Sequence, residues 1–164
     1  MFGEEIAHGT PIRRSHEDQL LDRSRVCQIG LRATGYESDE FDWSREQGWR
    51  VVQASEIWYK SLAPLMEEVR AQMGDGPVYL TFDIDSFASG YAPGTGTAEP
   101  GGPTSHQGIE LIRGLAGLNI VGCDLVEVSP LRSDRCNRCP RRQHSVRNAL
   151  RIARGQGASL TSPA

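Results

Sequence analysis

The chain reads as an α/β fold, an incomplete three-layer α/β/α sandwich built on a parallel sheet. Three observations predict it. Short apolar runs alternate with segments of helical period. One run, Val78–Ile84, is apolar at successive positions, as a strand covered on both faces should be. Acidic residues gather at the carboxyl ends of runs, at Asp83/Asp85 and Asp124/Glu127, where open α/β sheets bind ligands.

The first run, Val26–Leu31, predicts a buried strand ending before Thr34-Gly35. Glu37–Gly48 predicts a short helix closed by Gly48. Trp49–Gln53 predicts a second strand. From Ser61 to Met73 the residues Leu62, Leu65, Met66, Val69 and Met73 share one face at a period of about 3.6, so a helix is expected. Gly74–Pro77 should stop it. Val78–Ile84 is expected as a third, central strand. Ser105–Leu115 predicts a helix with Ile109, Ile112 and Leu115 inward and Thr104 or Ser105 as its N-cap. Asn119–Val126 predicts a fourth strand, and the alternation stops after Pro130.

At 164 residues the chain suits one domain with a sizeable core. No apolar run approaches the roughly 20 residues of a membrane span, so no membrane partner is expected. The opening MFGEEIAHGTPIRR lacks the apolar centre of a signal peptide and is too acidic for a good transit peptide. The net charge of −3 conceals a switch: residues 1–130 carry ten basic and twenty acidic side chains, whereas residues 131–164 carry eight arginines and one acid, Asp134. Cys27 and Cys123 sit in apolar runs and read as buried thiols, and the four cysteines suggest no disulfide framework.

The chemistry centres on Asp83-Ile84-Asp85. Two residues apart on a strand, both carboxylates would point the same way and Ile84 the other. Paired carboxylates repel and desolvate badly. A hard divalent cation such as Mg, Mn or Ca would relieve both problems. The alternative is an aspartate pair that caps a turn or braces a loop. The loop that follows, YAPGTGTAEPGG at 91–102, lacks both the dinucleotide fingerprint and the phosphate-loop lysine.

Taken together, FDIDSF, APGTGT and the following EPGG resemble the signature of the ureohydrolase family, the arginases and agmatinases. MFGEEIAHGTPIRR, QIGLRATGY, Phe41–Ser44, LAPLMEEVRAQMGDGPVY and GLNIVGCDLVEVSP extend the resemblance from Met1 to Pro130, nearest to the agmatinase branch and its mitochondrial guanidino acid hydrolases. The resemblance implies a two-manganese hydrolase that splits a guanidino compound into urea and an amine or amino acid. Asp83 matches the ligand bridging both metals, and Asp85 a ligand to one of them. His8 matches a proton-shuttling histidine, work that an imidazole pKa near 6.5 suits. Glu127 matches the carboxylate that orients the substrate guanidinium, which a planar carboxylate pairs in bidentate fashion. Bracing of a loop by His8, and a strand-end ion pair at Glu127, are the plainer readings. Agmatine and a guanidino acid remain open as substrates. Homo-oligomers and a mitochondrial address follow only from the resemblance; made as written, without a targeting signal, the chain would be cytoplasmic.

The chain also departs from the family. Segments of G-G-D-H and D-A-H-x-D type, which carry the other metal ligands, would lie before Met1. Asp83 and Asp85 are then two of six ligands, expected to bind a divalent ion weakly. The strands preceding Met1 would be missing too, leaving the sheet an exposed edge. Ala88-Ser89 replaces the usual Asp-Pro, and Pro103 a usual Leu.

Residues 131–164 do not resemble the family. Cys136-Asn-Arg-Cys139 with His144 is half a zinc site, and the arginines lack the aromatic interleaving expected of a nucleic-acid surface. Back-translated with permitted codons and read one base on, Leu131–Leu150 yields YDLTGAT followed by AALAANILFEML, the family's C-terminal helix pattern. The expectation is a frame-shifted tail from about Leu131, poorly packed, disordered or weakly helical near Gln143–Arg154. Transcript sequence across Pro130–Leu131 decides it. Three readings follow: a hydrolase fragment inactive alone, a non-catalytic product that associates with full-length homologous subunits, and a zinc- or nucleic-acid-binding tail on an inert domain.

Overall fold

The computed structural model describes residues 6–32 and 40–129. The expectations for residues 131–164, for Cys136, Cys139 and His144, and for the start of the helix at Glu37 lie outside them. Helix α1 (Pro11–Glu17) leads to strand β1 (Cys27–Leu31). Helix α2 (Glu40–Glu46), strand β2 (Arg50–Gln53), the short α3 (Ala54–Ile57) and α4 (Ala63–Met73) follow. Strand β3 (Val78–Asp83), α5 (Ser105–Gly114) and β4 (Ile120–Val126) complete the series.

The strands pair in parallel, as the alternation predicts. β1 lies on β2, with Cys27 opposite Arg50 and Ile29 opposite Val52. β3 lies on β4, with Leu80 opposite Cys123, Thr81 opposite Asp124 and Asp83 opposite Val126. These are two separate two-stranded sheets. One apolar core nonetheless serves both, because Ile29 packs against the buried residues behind each pair.

Helix α4 buries the face its period predicts. Met66, Val69 and Met73 are buried, and Leu62 just before the helix is 1% exposed. Each such side chain contributes about 1.5–3 kcal/mol. Gly74 ends the helix at φ +55°, a conformation that costs a side chain. Helix α5 starts with a reciprocal cap: the Gln107 N–H donates to Thr104 Oγ1 at 3.3 Å, and the Thr104 N–H to Gln107 Oε1 at 3.0 Å. Gln107 Nε2 also donates to the Ile57 carbonyl at 2.6 Å, tying α5 to α3.

Two expectations need correction. Ile109 faces outward, 45% exposed, while Ile112 and Leu115 are buried. Gly108 takes the inward place, because the Phe87 ring leaves no room there: an added Cβ would meet Phe87 Cζ at 2.3 Å. Strand β3 is not covered on both faces. Tyr79 is 59% exposed and Thr81 is exposed, while Leu80 and Phe82 face the core. Its apolar sequence reflects a covered side and a side left open among the described residues.

Helix α1 is anchored by a cluster that the sequence reading did not identify. Trp49 Nε1 donates to His16 Nδ1 at 3.1 Å, and His16 Nε2 lies 3.2 Å from Gln47 Oε1. Trp43 and Trp49 meet this imidazole edge-on, and the Arg13 guanidinium sits 4.6 Å from the Trp43 ring centroid. No helix among the described residues is long and apolar enough to cross a membrane.

Candidate active site

Strand β3 ends at Asp83, one residue earlier than its apolar pattern predicts. Ile84–Ser86 form a single 3-10 turn. The Asp85 N–H donates to Asp83 Oδ1 at 3.0 Å, and the Ser86 hydroxyl to the Asp83 carbonyl at 2.7 Å. Asp85 is therefore not a strand residue, and strand alternation does not aim its carboxylate. The carboxylate of Asp83 caps the turn that turns Asp85 toward the loop. The turn-capping role, named above as the alternative to a metal ligand, is thus present at Asp83.

Burial, then the charges of Asp85 and Glu127, push the Asp83 carboxyl up to about 6; the Asp85 N–H bond opposes them. Glu127 follows β4 with φ +57°, a left-handed conformation uncommon for a non-glycine residue. Its Oε2 would lie 3.9 Å from a Cβ added at Gly96, so the carboxylate faces the glycine-rich loop. Backbone of this kind costs on the order of 1–3 kcal/mol and is held by its surroundings. Here the Ser129 N–H donates to the Gly94 carbonyl at 2.8 Å.

The loop is pinned to the turn. The Thr97 hydroxyl donates to Asp85 Oδ2. Ala88 N–H reaches the Pro103 carbonyl at 3.3 Å, and Ser89 N–H the Glu99 carbonyl at 3.2 Å. Gly102 is required by close approach, since an added Cβ would fall 2.2 Å from the Ser86 carbonyl oxygen. From the end of β1, Arg32 donates to the carbonyls of Asp85 and Ser86 and lies 3.4 Å from Glu99 Oε2. Neither Arg32 nor Thr97 was given a role from the sequence. An arginine two residues before a Thr-Gly pair carries no local signal of a contact more than 50 positions away. Beside Arg32 a cleft of about 230 Å³ opens among Gln53, Ser55, Trp58 and Gly101.

Asp83, Asp85 and Glu127 thus come together at the carboxyl ends of β3 and β4. His8 does not join them by any hydrogen bond among the described residues. It lies exposed in a turn where Ala7 N–H and Thr10 Oγ1 are 2.9 Å apart. Asp124 is also removed from the site. It sits midway along β4, where its Oδ2 accepts from the Tyr79 hydroxyl at 2.9 Å.

Against known proteins, the description "Arginase family" matches residues 1–154. The chain belongs to the arginase family. The guanidinobutyrase of Pseudomonas aeruginosa is 64% identical over 130 residues, 79% of this chain and 41% of that protein. A mitochondrial agmatinase of Gallus gallus is 60% identical over 130 residues, 79% of this chain and 38% of that protein. Proclavaminate amidino hydrolase from Streptomyces clavuligerus superposes with a TM-score of 0.78 at 34% identity, over 94% of this chain and 49% of that one. The arginase-like α/β fold is thereby established for this chain, which spans about two fifths of the length of the curated relatives it matches.

The family is manganese-dependent, and the donor chemistry agrees: carboxylate oxygens suit a hard divalent ion. The donor number does not. Among the described residues no group of three His, Cys, Asp or Glu side chains is arranged to hold a metal ion.

Proposed function

We propose that this chain is a portion of a manganese-dependent guanidino-compound hydrolase of agmatinase or guanidinobutyrase type, inactive by itself. The observation that carries the reading is the convergence of Asp83, Asp85 and Glu127 at the ends of two parallel strands. Burial first, and then the charges of Asp85 and Glu127, raise the Asp83 pKa. Such crowding is costly unless cations meet it. A guanidinium substrate and a metal are both cations.

In this reading Asp83 and Asp85 hold Mn²⁺, which when bound would polarise water and lower its pKa. Glu127 accepts two N–H groups of the substrate guanidinium and orients its carbon. The Thr97 hydroxyl and the Arg32 guanidinium hold the Asp85 segment in place. His8 would pass a proton to the leaving amine. The substrate is a guanidino acid or agmatine, as the names of the two curated relatives suggest. A mitochondrial compartment is proposed on the same ground.

The test is a chimera in which residues 6–129 replace the matched region of the P. aeruginosa guanidinobutyrase. With Mn²⁺ it should release urea from 4-guanidinobutyrate or agmatine. Glu127→Gln in the chimera should lower kcat/KM by about 100-fold, since one developing interaction with the substrate cation is removed. A folded chimera that binds Mn²⁺ and releases no urea would refute the reading. The 164-residue chain alone should release none.

A further inference from the structure

We infer that Trp58 is a positioning residue for the candidate metal site: its indole clamps the returning end of the glycine-rich loop, which packs on the turn that carries Asp85. Trp58 follows α3 directly. Its Nε1–H donates to the Gly101 carbonyl at 2.7 Å. The ring lies against the same residue, since a Cβ added at Gly101 would meet Trp58 Cζ2 at 3.2 Å. The next residue, Gly102, packs on the turn itself, with a Cβ position 2.2 Å from the Ser86 carbonyl oxygen. Consecutive residues of one backbone are thus gripped by the indole and by the turn.

The clamp matters because this stretch of loop supports Asp85. The Thr97 hydroxyl donates to Asp85 Oδ2. Glu99 lies 3.4 Å from Arg32, which donates to the carbonyls of Asp85 and Ser86. Ala88 N–H reaches the Pro103 carbonyl and Ser89 N–H the Glu99 carbonyl, closing the neck of the loop. Trp58 adds a tie to a different part of the fold. The Gln53 N–H donates to Glu56 Oε1 at 2.8 Å, in the reciprocal cap that starts α3. Gln107 Nε2 holds the Ile57 carbonyl, next to Trp58, from α5. The indole therefore couples the loop to α3 and, through α3, to α5.

Trp58 is not a core residue. It is 45% exposed, against 5% for Trp49, so burial of its apolar area is not its main contribution. It supplies a directional N–H bond and a flat ring face at a backbone that leaves no room for a larger contact. Groups that hold a metal ligand in place through a further contact change metal affinity by about 10- to 100-fold when removed. The inference rests on the reading of Asp85 as a metal ligand, and its test scores the two apart.

The test compares the full 164-residue chain with its Trp58→Phe and Trp58→Leu variants by amide hydrogen exchange. Phenylalanine keeps a flat ring and loses the N–H; leucine loses both. Exchange at Ala88 and Ser89, the amides of the neck, should speed by about tenfold in Trp58→Phe and further in Trp58→Leu, with Cys27–Leu31 unchanged. Unchanged exchange at the neck overturns the clamp. Equal acceleration at Cys27–Leu31 also overturns it, since Trp58 would then support the fold at large. The same substitutions in the guanidinobutyrase chimera should weaken Mn²⁺ binding, read by electron paramagnetic resonance, by about tenfold. Faster exchange at the neck with unaltered Mn²⁺ affinity overturns the positioning role. A parent chimera that binds no Mn²⁺ overturns it together with the reading of Asp85. Urea release is scored separately: weakened Mn²⁺ binding in a chimera that turns over no substrate upholds Trp58 and counts against the hydrolase reading.

Discussion

The backbone N–H of Asp85 donates to the carboxylate of Asp83 at 3.0 Å, across a turn that begins where β3 ends. One carboxylate thereby fixes the direction of the other. The same bond favours the charged form of Asp83, while burial and two neighbouring acids outweigh it.

That balance gives a pH dependence. The Asp83 carboxyl titrates at about 6 in the fold, above its ordinary 3.8. The folded state therefore holds the proton more tightly. The stability this contributes is full below pH 3.8 and is lost as the pH rises through about 6. In metal-free buffer, Asp83→Asn should raise the melting temperature at pH 7.5 and leave it unchanged at pH 3.5. The asparagine can still accept the Asp85 N–H. An equal shift at both pH values would mean that burial of charge is not the cause.

Arg32 should matter more than its surface neighbours. Its side chain is 13% exposed and serves two carbonyls. Arg32→Ala should cost about 1.5–3 kcal/mol, the range for hydrogen bonds to a charged group. Arg32→Lys should recover less than half, because an ammonium lacks the planar fork that spans both acceptors. Urea denaturation of the three proteins measures this; a loss under about 0.5 kcal/mol for the alanine variant would remove Arg32 from the account.

Gly102 and Gly90 form an internal control. A Cβ at Gly102 would fall 2.2 Å from the Ser86 carbonyl oxygen and 2.5 Å from the Ala88 nitrogen, both backbone atoms. Nothing lies within 4 Å of a Cβ at Gly90. Gly102→Ala should destabilise by about 1–3 kcal/mol, the usual cost of overpacking. Gly90→Ala should be near neutral. Similar melting temperatures for the two variants would show that the loop does not pack on the turn as described.

Cys27 should be a poor nucleophile. Burial pushes its thiol up to about 11, opposed by the charge of Arg50. The reactive thiolate is then scarce at pH 8. Iodoacetamide at pH 8, with peptide mapping, should leave the Cys27 peptide largely unmodified until denaturant is added. Rapid labelling in the native chain would place that thiol in water.

Much of this was legible in the sequence because it depends on residues near one another in the chain. The α4 face repeats with the helical period, Thr104 and Gln107 cap α5 within one turn, and the Asp83-Ile84-Asp85 segment lies at a strand end. Parallel pairing followed from the alternation of strands with helices. The types of group at the site, and the family they resemble, were readable for the same reason.

Other features depended on what lies above or beside each element. Alternation could not show that β3 stops at Asp83, because capture of the Asp85 N–H competes locally with strand continuation. Helical period placed Ile109 inward, but the Phe87 ring occupies that space and only Gly108 fits. Tyr79 and Thr81 look like members of a covered strand until the open face is seen. An exposed edge was expected from the family resemblance, but no local pattern showed that β1 and β3 would be the strands left unjoined. Sequence alone determined the residue chemistry, the family and the order of the four strands with α2, α4 and α5, while α1 and α3 were not predicted. Tertiary structure decided which faces and edges are covered, because burial and pairing depend on neighbours that a local pattern does not contain.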